Sequence, residues 1–216
     1  AGVIARRGGD PRDRATGAQL LAAIDPFERA DRQGEWTAGG ALLVQASVWN
    51  TPDSKGAPVP AICGETGRVL VGWTRLDNRA ELLALLGREN GPPLDDAALV
   101  LAVHRALGDA CAGRLDGDFA FAIHDPARNS VFCARDGLGV KPFFYHLSPD
   151  LFVFASTAAV FPMLRGFDAA PSREWLAKYL IGESADPVKS AFANVLKLPP
   201  AHSLTVEREG LAEPRR

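Results

Sequence analysis

Residues 117–125, GDFAFAIHD, alternate between Phe119, Phe121 and Ile123 on one parity and Ala120, Ala122 and His124 on the other. A period of two places the two sets on opposite faces of a strand. Asp125-Pro126 then turns the chain, and Val131-Phe132-Cys133-Ala134 returns as a second strand. After Gly137-Leu138-Gly139, Phe143-Phe144-Tyr145 predicts a third, and Ser148-Pro149-Asp150 turns it into LFVFAS at 151–156. Both faces of these strands are apolar or small, so the sheet is expected to be covered on both sides. Upstream, GVIAR (2–6) reads as a short first strand and GGALLVQASVW (39–49) as a longer one, followed by a Pro/Gly/Ser loop over 51–60. Residues 61–63 and 68–73 read as a hairpin around Gly64-Glu65-Thr66-Gly67.

Helical spacing appears between these runs. TGAQLLAAI (16–24) predicts a helix begun near Thr16 and closed by Asp25-Pro26, because proline disfavours helix in the residue before it. In LDNRAELLALLG (76–87), Asn78 and Glu81 form a capping-box pattern, with Leu82, Leu83 and Leu86 as the apolar stripe and Gly87 as the stop. Asp95 or Asp96 can cap a longer helix reaching about Cys111, its period kept by Leu99, Val103, Ala106, Leu107 and Ala110. Ser156 or Thr157 starts a short helix through Leu164. Ser172 starts another, REWLAKYLIG, with Trp175, Leu176, Tyr179 and Leu180 inward. The close, 195–210, is a loop and a strand. Helices fall between and after runs of antiparallel strands without strict alternation, which predicts a layered α+β domain. One domain is expected over 1–210, with 211–216 beginning a linker.

Composition narrows the partners. The 216 residues are 47% hydrophobic and 23% charged, with a formal net charge of −2, so there is no basic field for nucleic acid. No apolar run approaches the roughly 20 residues that span a bilayer, and the opening residues lack a signal-peptide core. Cys63, Cys111 and Cys133 form no C-x-x-C pair and read as reduced thiols of a cytoplasmic protein. His104, His124, His146 and His202 lack metal-ligand spacing, so no metal site is expected.

Four stretches carry a family. RLDGDFAFAIHDPARNSVFCARDGLGVKPFFYH (114–146) resembles the "LxGxFAFAxWDxxxxxLxLARDxxGxKPLYY" segment of class II glutamine amidotransferase domains of the asparagine synthetase family. LDDAALVLAVHRALGDAC (94–111), LDNRAELLALLG (76–87) and FANVLKLPPAHSLTVEREG (192–210) resemble three further motifs of that family, in the right order. The resemblance implies an N-terminal-nucleophile αββα sandwich, two antiparallel sheets face to face with helices outside.

The resemblance also implies a chemistry. In such enzymes the first residue is a cysteine nucleophile and its α-amino group is the base. Here Ala1 occupies that position, with Gly2 and Val3 in register, and a methyl cannot attack an amide carbonyl. The segment that helps hold glutamine in the family would fall at Arg32-Gln33-Gly34-Glu35, without its Pro and Asp. The Asn-Gly-Glu oxyanion motif would fall near Val71-Gly72-Trp73-Thr74, without its Asn. Asp96 is the one substrate-binding remnant, and Trp36 and Trp73 are expected to fill the vacated pocket. Arg135 and Asp136, with Lys141, read as an ion pair and loop anchor, or as residues facing a partner domain.

The expected function is therefore a glutaminase-inactive amidotransferase-like half of an ATP-dependent amide ligase. A lasso-peptide macrolactam cyclase is the specific expectation, because RLDNRAEL replaces the family's "NGEIYN". Two alternatives stand beside it: a glutamine-hydrolysing asparagine synthetase with Ala in place of its cysteine, and a free-standing peptide- or partner-binding module. ATP and magnesium are expected in a C-terminal synthetase domain, since no SGGxDS loop occurs here and no cofactor is expected in this chain. That domain is the expected partner, with a precursor peptide and a second copy of the chain as further candidates.

Overall fold

The computed structural model describes residues 1–6, 9–49, 54–183, 186–207 and 214–215. In chain order these form β1 (Gly2–Ala5), α1 (Gly17–Ile24), β2 (Arg32–Ala38), β3 (Ala41–Ser47), β4 (Ala61–Ile62) and β5 (Val69–Leu76). Then come α2 (Arg79–Leu85), α3 (Asp96–Leu107), β6 (Gly117–Asp125), β7 (Ser130–Arg135), β8 (Phe144–Leu147) and β9 (Leu151–Ala155). The chain closes with α4 (Arg173–Leu180), β10 (Leu196–Lys197) and β11 (Ser203–Val206). Short 3-10 helices cover Pro11–Asp13, Gly108–Arg114 and Ala158–Met163.

The strands make two antiparallel sheets, in the orders β10-β8-β9-β1-β3-β2 and β11-β7-β6-β5-β4. Strand parity builds the layers. Ile4, Leu43, Phe152 and Phe154 of the first sheet meet Val69, Val71, Ala120, Ala122 and Cys133 of the second in one shared core. The opposite parity, Phe119, Phe121, Ile123 and Phe132, packs outward on Leu82, Leu99, Val100 and Val103 of α2 and α3. Val3, Leu42, Val44 and Val153 pack outward on Leu20 and Ala23 of α1 and on Val160 and Phe161. The αββα sandwich follows: two covered faces per sheet require two apolar parities per strand.

Local signals hold at most ends. Thr16 caps α1 with a complete capping box shared with Gln19. Asp95 caps α3 by accepting from Ala98 N. Thr157 and Ser172 cap the helices after them, and Gly87 ends α2 at φ +63°. The region after β9 is a 3-10 helix, since Pro162 inside it withholds an N–H.

Three expectations are corrected. Asn78 makes no side-chain cap bond; its carboxamide instead donates to Arg114 O and accepts from Asp116 N, tying α2 to the start of β6. Helix α3 stops at Leu107 because Gly108 takes φ +60°, and the chain continues to Arg114 as a 3-10 helix. The buried stripe consequently runs through Leu99, Val100, Val103 and His104, while Ala106, Leu107 and Ala110 face solvent. Helix α4 buries none of its residues: Trp175 is half-buried, Tyr179 is 57% exposed and Leu180 81% exposed. Residues 32–38 form a further strand, for which the hydrophobic pattern makes no prediction.

Candidate functional site between the sheets

Ala1 and β3, β5 and β6 meet at one end of the sandwich, where two adjoining cavities open. The larger, about 160 Å³, is lined by residues including Ala1, Val44, Gln45, Val71, Gly72, Trp73, Lys141 and Phe154. The smaller, about 60 Å³, is lined by Ser54, Val59, Asp95 and Asp96 among others. Gln45, Ser47, Gly72 and Trp73 line both.

Ala1, whose side chain is a methyl, lines the larger cavity and also packs on the outward cluster beneath α1. Its α-amino group donates to Val44 O at 2.8 Å, and burial pushes that amine down to about 5. Across the cavity the Gly72 N–H, on the segment matched to the family's oxyanion motif, is taken. It donates to Gln45 Oε1 at 3.3 Å, and Gln45 Nε2 donates back to Gly72 O at 3.2 Å. Gly72 holds φ +143°, and a Cβ there would fall inside contact distance of Ala120 O. That close strand approach requires glycine. The Trp73 indole stands beside it with Lys141 Nζ 3.7 Å from the ring centre.

Asp96 lines the smaller cavity, and both of its carboxylate oxygens are engaged within the protein. Oδ2 accepts from Leu76 N at 3.1 Å, and Oδ1 pairs with the Arg79 guanidinium. Arg32–Glu35 line neither cavity; Arg32 instead donates to Gly56 O and Ala57 O, holding the loop before β4. Trp36 is likewise outside both linings. It packs on the inter-sheet core, 5.5 Å from the His124 ring.

Arg135 and Asp136 anchor the loop after β7, and each does so through backbone groups. The ion pair expected between them gives way to separate partners. Arg135 donates to the carbonyls of Lys141, Leu198 and Gly139, at 2.6, 2.6 and 2.8 Å. Asp136, 1% exposed, accepts from the N–H groups of Leu138, Val140 and Lys141. This frame delivers Lys141 to the cavity while Leu138 and Val140 remain exposed. Sequence reading missed Gln45, because one glutamine in a strand carries no motif. Its parity with Leu43 was the available signal.

The chain matches the glutamine amidotransferase domain family over residues 30–215. It belongs to that family, in the asparagine synthetase branch. This amidotransferase domain is 35% identical over 117 residues to the glutamine-hydrolysing asparagine synthetase 3 of Bacillus subtilis, covering 54% of this chain and 19% of that protein. A putative asparagine synthetase 2 of Methanocaldococcus jannaschii is 39% identical over 61 residues, 28% of this chain and 12% of that one. The chain thus spans a fifth or less of these relatives. Among solved structures, the glutamine phosphoribosylpyrophosphate amidotransferase of B. subtilis, complexed with ADP and GMP, superposes over 100% of this chain and 48% of its own. Its TM-score is 0.65 at 14% identity, a likeness of fold. An allosteric regulatory enzyme of purine biosynthesis matches at TM-score 0.59 and 15% identity, again over 100% of this chain and 48% of the other.

Proposed function

We propose that this amidotransferase domain does not hydrolyse glutamine and serves an ATP-dependent amide-forming ligase as a structural and substrate-positioning element. The observation that carries the reading is Ala1 in the wall of the larger cavity, an alanine at the position where the family places its nucleophile. The surroundings support it: Gly72 N–H is already bonded to Gln45, and Asp96 is already paired with Arg79. A substrate would have to displace both internal partners, and no thiol, hydroxyl or amine side chain stands at position 1 to attack it.

In this reading the amine that attacks the activated carboxylate belongs to the substrate itself, so no ammonia is needed. A lasso-peptide macrolactam cyclase fits this economy, and the RLDNRAEL segment that suggests it contains Arg79, the residue that occupies Asp96. ATP and magnesium then belong to a C-terminal synthetase domain. Exposed Leu138 and Val140, on the loop framed by Arg135 and Asp136, supply an apolar edge for that partner.

The matched relatives, glutamine-hydrolysing asparagine synthetases by name, favour a second reading in which Ala1 alone silences an intact glutaminase. Ammonia release from glutamine by the protein and by Ala1→Cys separates the two. Silence of both is expected; ammonia from Ala1→Cys would establish the second reading.

A further inference from the structure

Asp96 is the first residue of α3, and Arg79 is the first residue of α2. A helix N-terminus favours a carboxylate and disfavours a cation. Arg79 therefore has no electrostatic support from its own helix, and its guanidinium is spent elsewhere. It pairs with Asp96 Oδ1 and donates to Leu94 O at 2.6 Å. The other Asp96 oxygen accepts from Leu76 N at 3.1 Å, which orients the carboxylate independently of Arg79. The two side chains remain 28% and 14% exposed, so solutes reach the pair. Asp96 also lines the smaller cavity, where Gly72 N–H is likewise taken by a side chain of the protein, Gln45.

We propose that Arg79 is a built-in ligand. Asp96 Oδ1 and Leu94 O form a site for an organic cation bearing N–H donors, a primary ammonium or a guanidinium, and Arg79 fills it. The inference deepens the glutaminase-inactive reading and rests on it, by naming the residue that excludes the amino group of a free amino acid from Asp96. Both acceptors suit such a cation: the carboxylate supplies a charge-assisted bond, and the carbonyl accepts a second N–H. A tethered cation competes at an effective concentration of about millimolar. A dissolved one binds only through the fraction of molecules in which Arg79 has left. A mere tie between α2 and α3 has a different signature, since its removal loosens two helices and creates no site selective for N–H cations.

The test is an amide NMR titration of the full chain, of Arg79→Ala and of Arg79→Met, read at the Leu76 N–H that donates to Asp96. The probes are methylguanidinium, methylammonium and tetramethylammonium, the last carrying the same charge without an N–H. In both variants the first two are expected to shift the Leu76 signal saturably, roughly tenfold or more tighter than in the parent, with tetramethylammonium silent. Asp96→Asn added to Arg79→Met should weaken methylguanidinium roughly tenfold or more. Thermal melting shows which variants fold, and Arg79→Met, which keeps the aliphatic stem, decides the matter if Arg79→Ala does not. Equal affinity in the parent and in Arg79→Met overturns the proposal. So does the lack of a saturable shift, a response to tetramethylammonium of the same size, or an affinity unmoved by Asp96→Asn. Ammonia release from glutamine is measured on the parent alongside. Its release would overturn the glutaminase-inactive reading, whereas silence there without cation binding in Arg79→Met sinks the built-in ligand alone.

Discussion

Gln45 of β3 grips Gly72 of β5 with both ends of its carboxamide, at 3.2 and 3.3 Å. The two residues belong to different sheets, so the pair pins the sandwich across the cavity wall. Gln45→Ala leaves a half-buried N–H and C=O without partners, and should cost about 1–3 kcal/mol in denaturant unfolding. The larger and smaller cavities should merge, and a crystal structure of the variant would show it. An unfolding free energy equal to that of the parent would mean that water replaces the carboxamide at no cost.

Gly72 itself tolerates no side chain. At φ +143°, with Ala120 O against the place a Cβ would take, Gly72→Ala combines backbone strain with overpacking. A loss of about 3 kcal/mol or more is expected. Gly113→Ala is the matched control: nothing lies within 4 Å of its Cβ position and its φ is not positive. It should be neutral, or stabilising by up to about 1 kcal/mol. Comparable losses in the two variants would refute the close approach at Gly72.

His124 is 0% exposed, and neither ring nitrogen makes a hydrogen bond of good geometry, although the Asn129 side chain lies close enough to act on it. Burial holds its pKa below the ordinary value near 6.5, against smaller opposing pulls from the Asn129 side chain and then from Asp125. The unfolded chain then takes up a proton as pH falls below about 6.5, while the folded chain resists until its own lower pKa. Stability contributed by neutral His124 is therefore full above pH 6.5 and declines through that window. His124→Phe should flatten the fall in unfolding midpoint between about pH 7 and pH 5 and cost little at neutral pH, since it removes two buried polar atoms that lack a well-formed hydrogen bond. An unchanged slope would place the acid sensitivity elsewhere.

Leu180 closes α4 with 81% of its surface exposed. Leu180→Gln should shift unfolding by no more than about 0.5 kcal/mol, the range of ordinary surface substitutions. A loss of 2 kcal/mol or more, typical of a truncated core leucine, would mean that the helix packs inward as its periodicity predicts.

Hydrophobic parity made most of the sheets readable. In β6 and β7 every core position alternates, and each parity meets a different layer, so the period specifies the strand and both of its faces. Strand β2 was unreadable because RQGEWTA carries only Trp36 and Ala38 as apolar residues, too few to set a period. Its existence comes from pairing with β3 along its whole length, Arg32 to Ser47 through Ala38 to Ala41. The apolar spacing of α4 was readable but silent on its partner, since amphipathicity states which side is greasy and not what covers it.

The site divides in the same way. The sequence alone determined that position 1 carries a methyl, that no asparagine accompanies Gly72, and that an aspartate stands at 96; these are matters of covalent identity. Tertiary structure decided where the remaining polar groups spend their bonds. Gln45 reaches Gly72 from another sheet, Arg79 from α2 neutralises Asp96, and the loop framed by Arg135 and Asp136 carries Lys141 to the Trp73 ring. None of these pairings leaves a trace in local pattern, because each is a long-range contact selected by the need to satisfy buried polar groups once the sheets have closed.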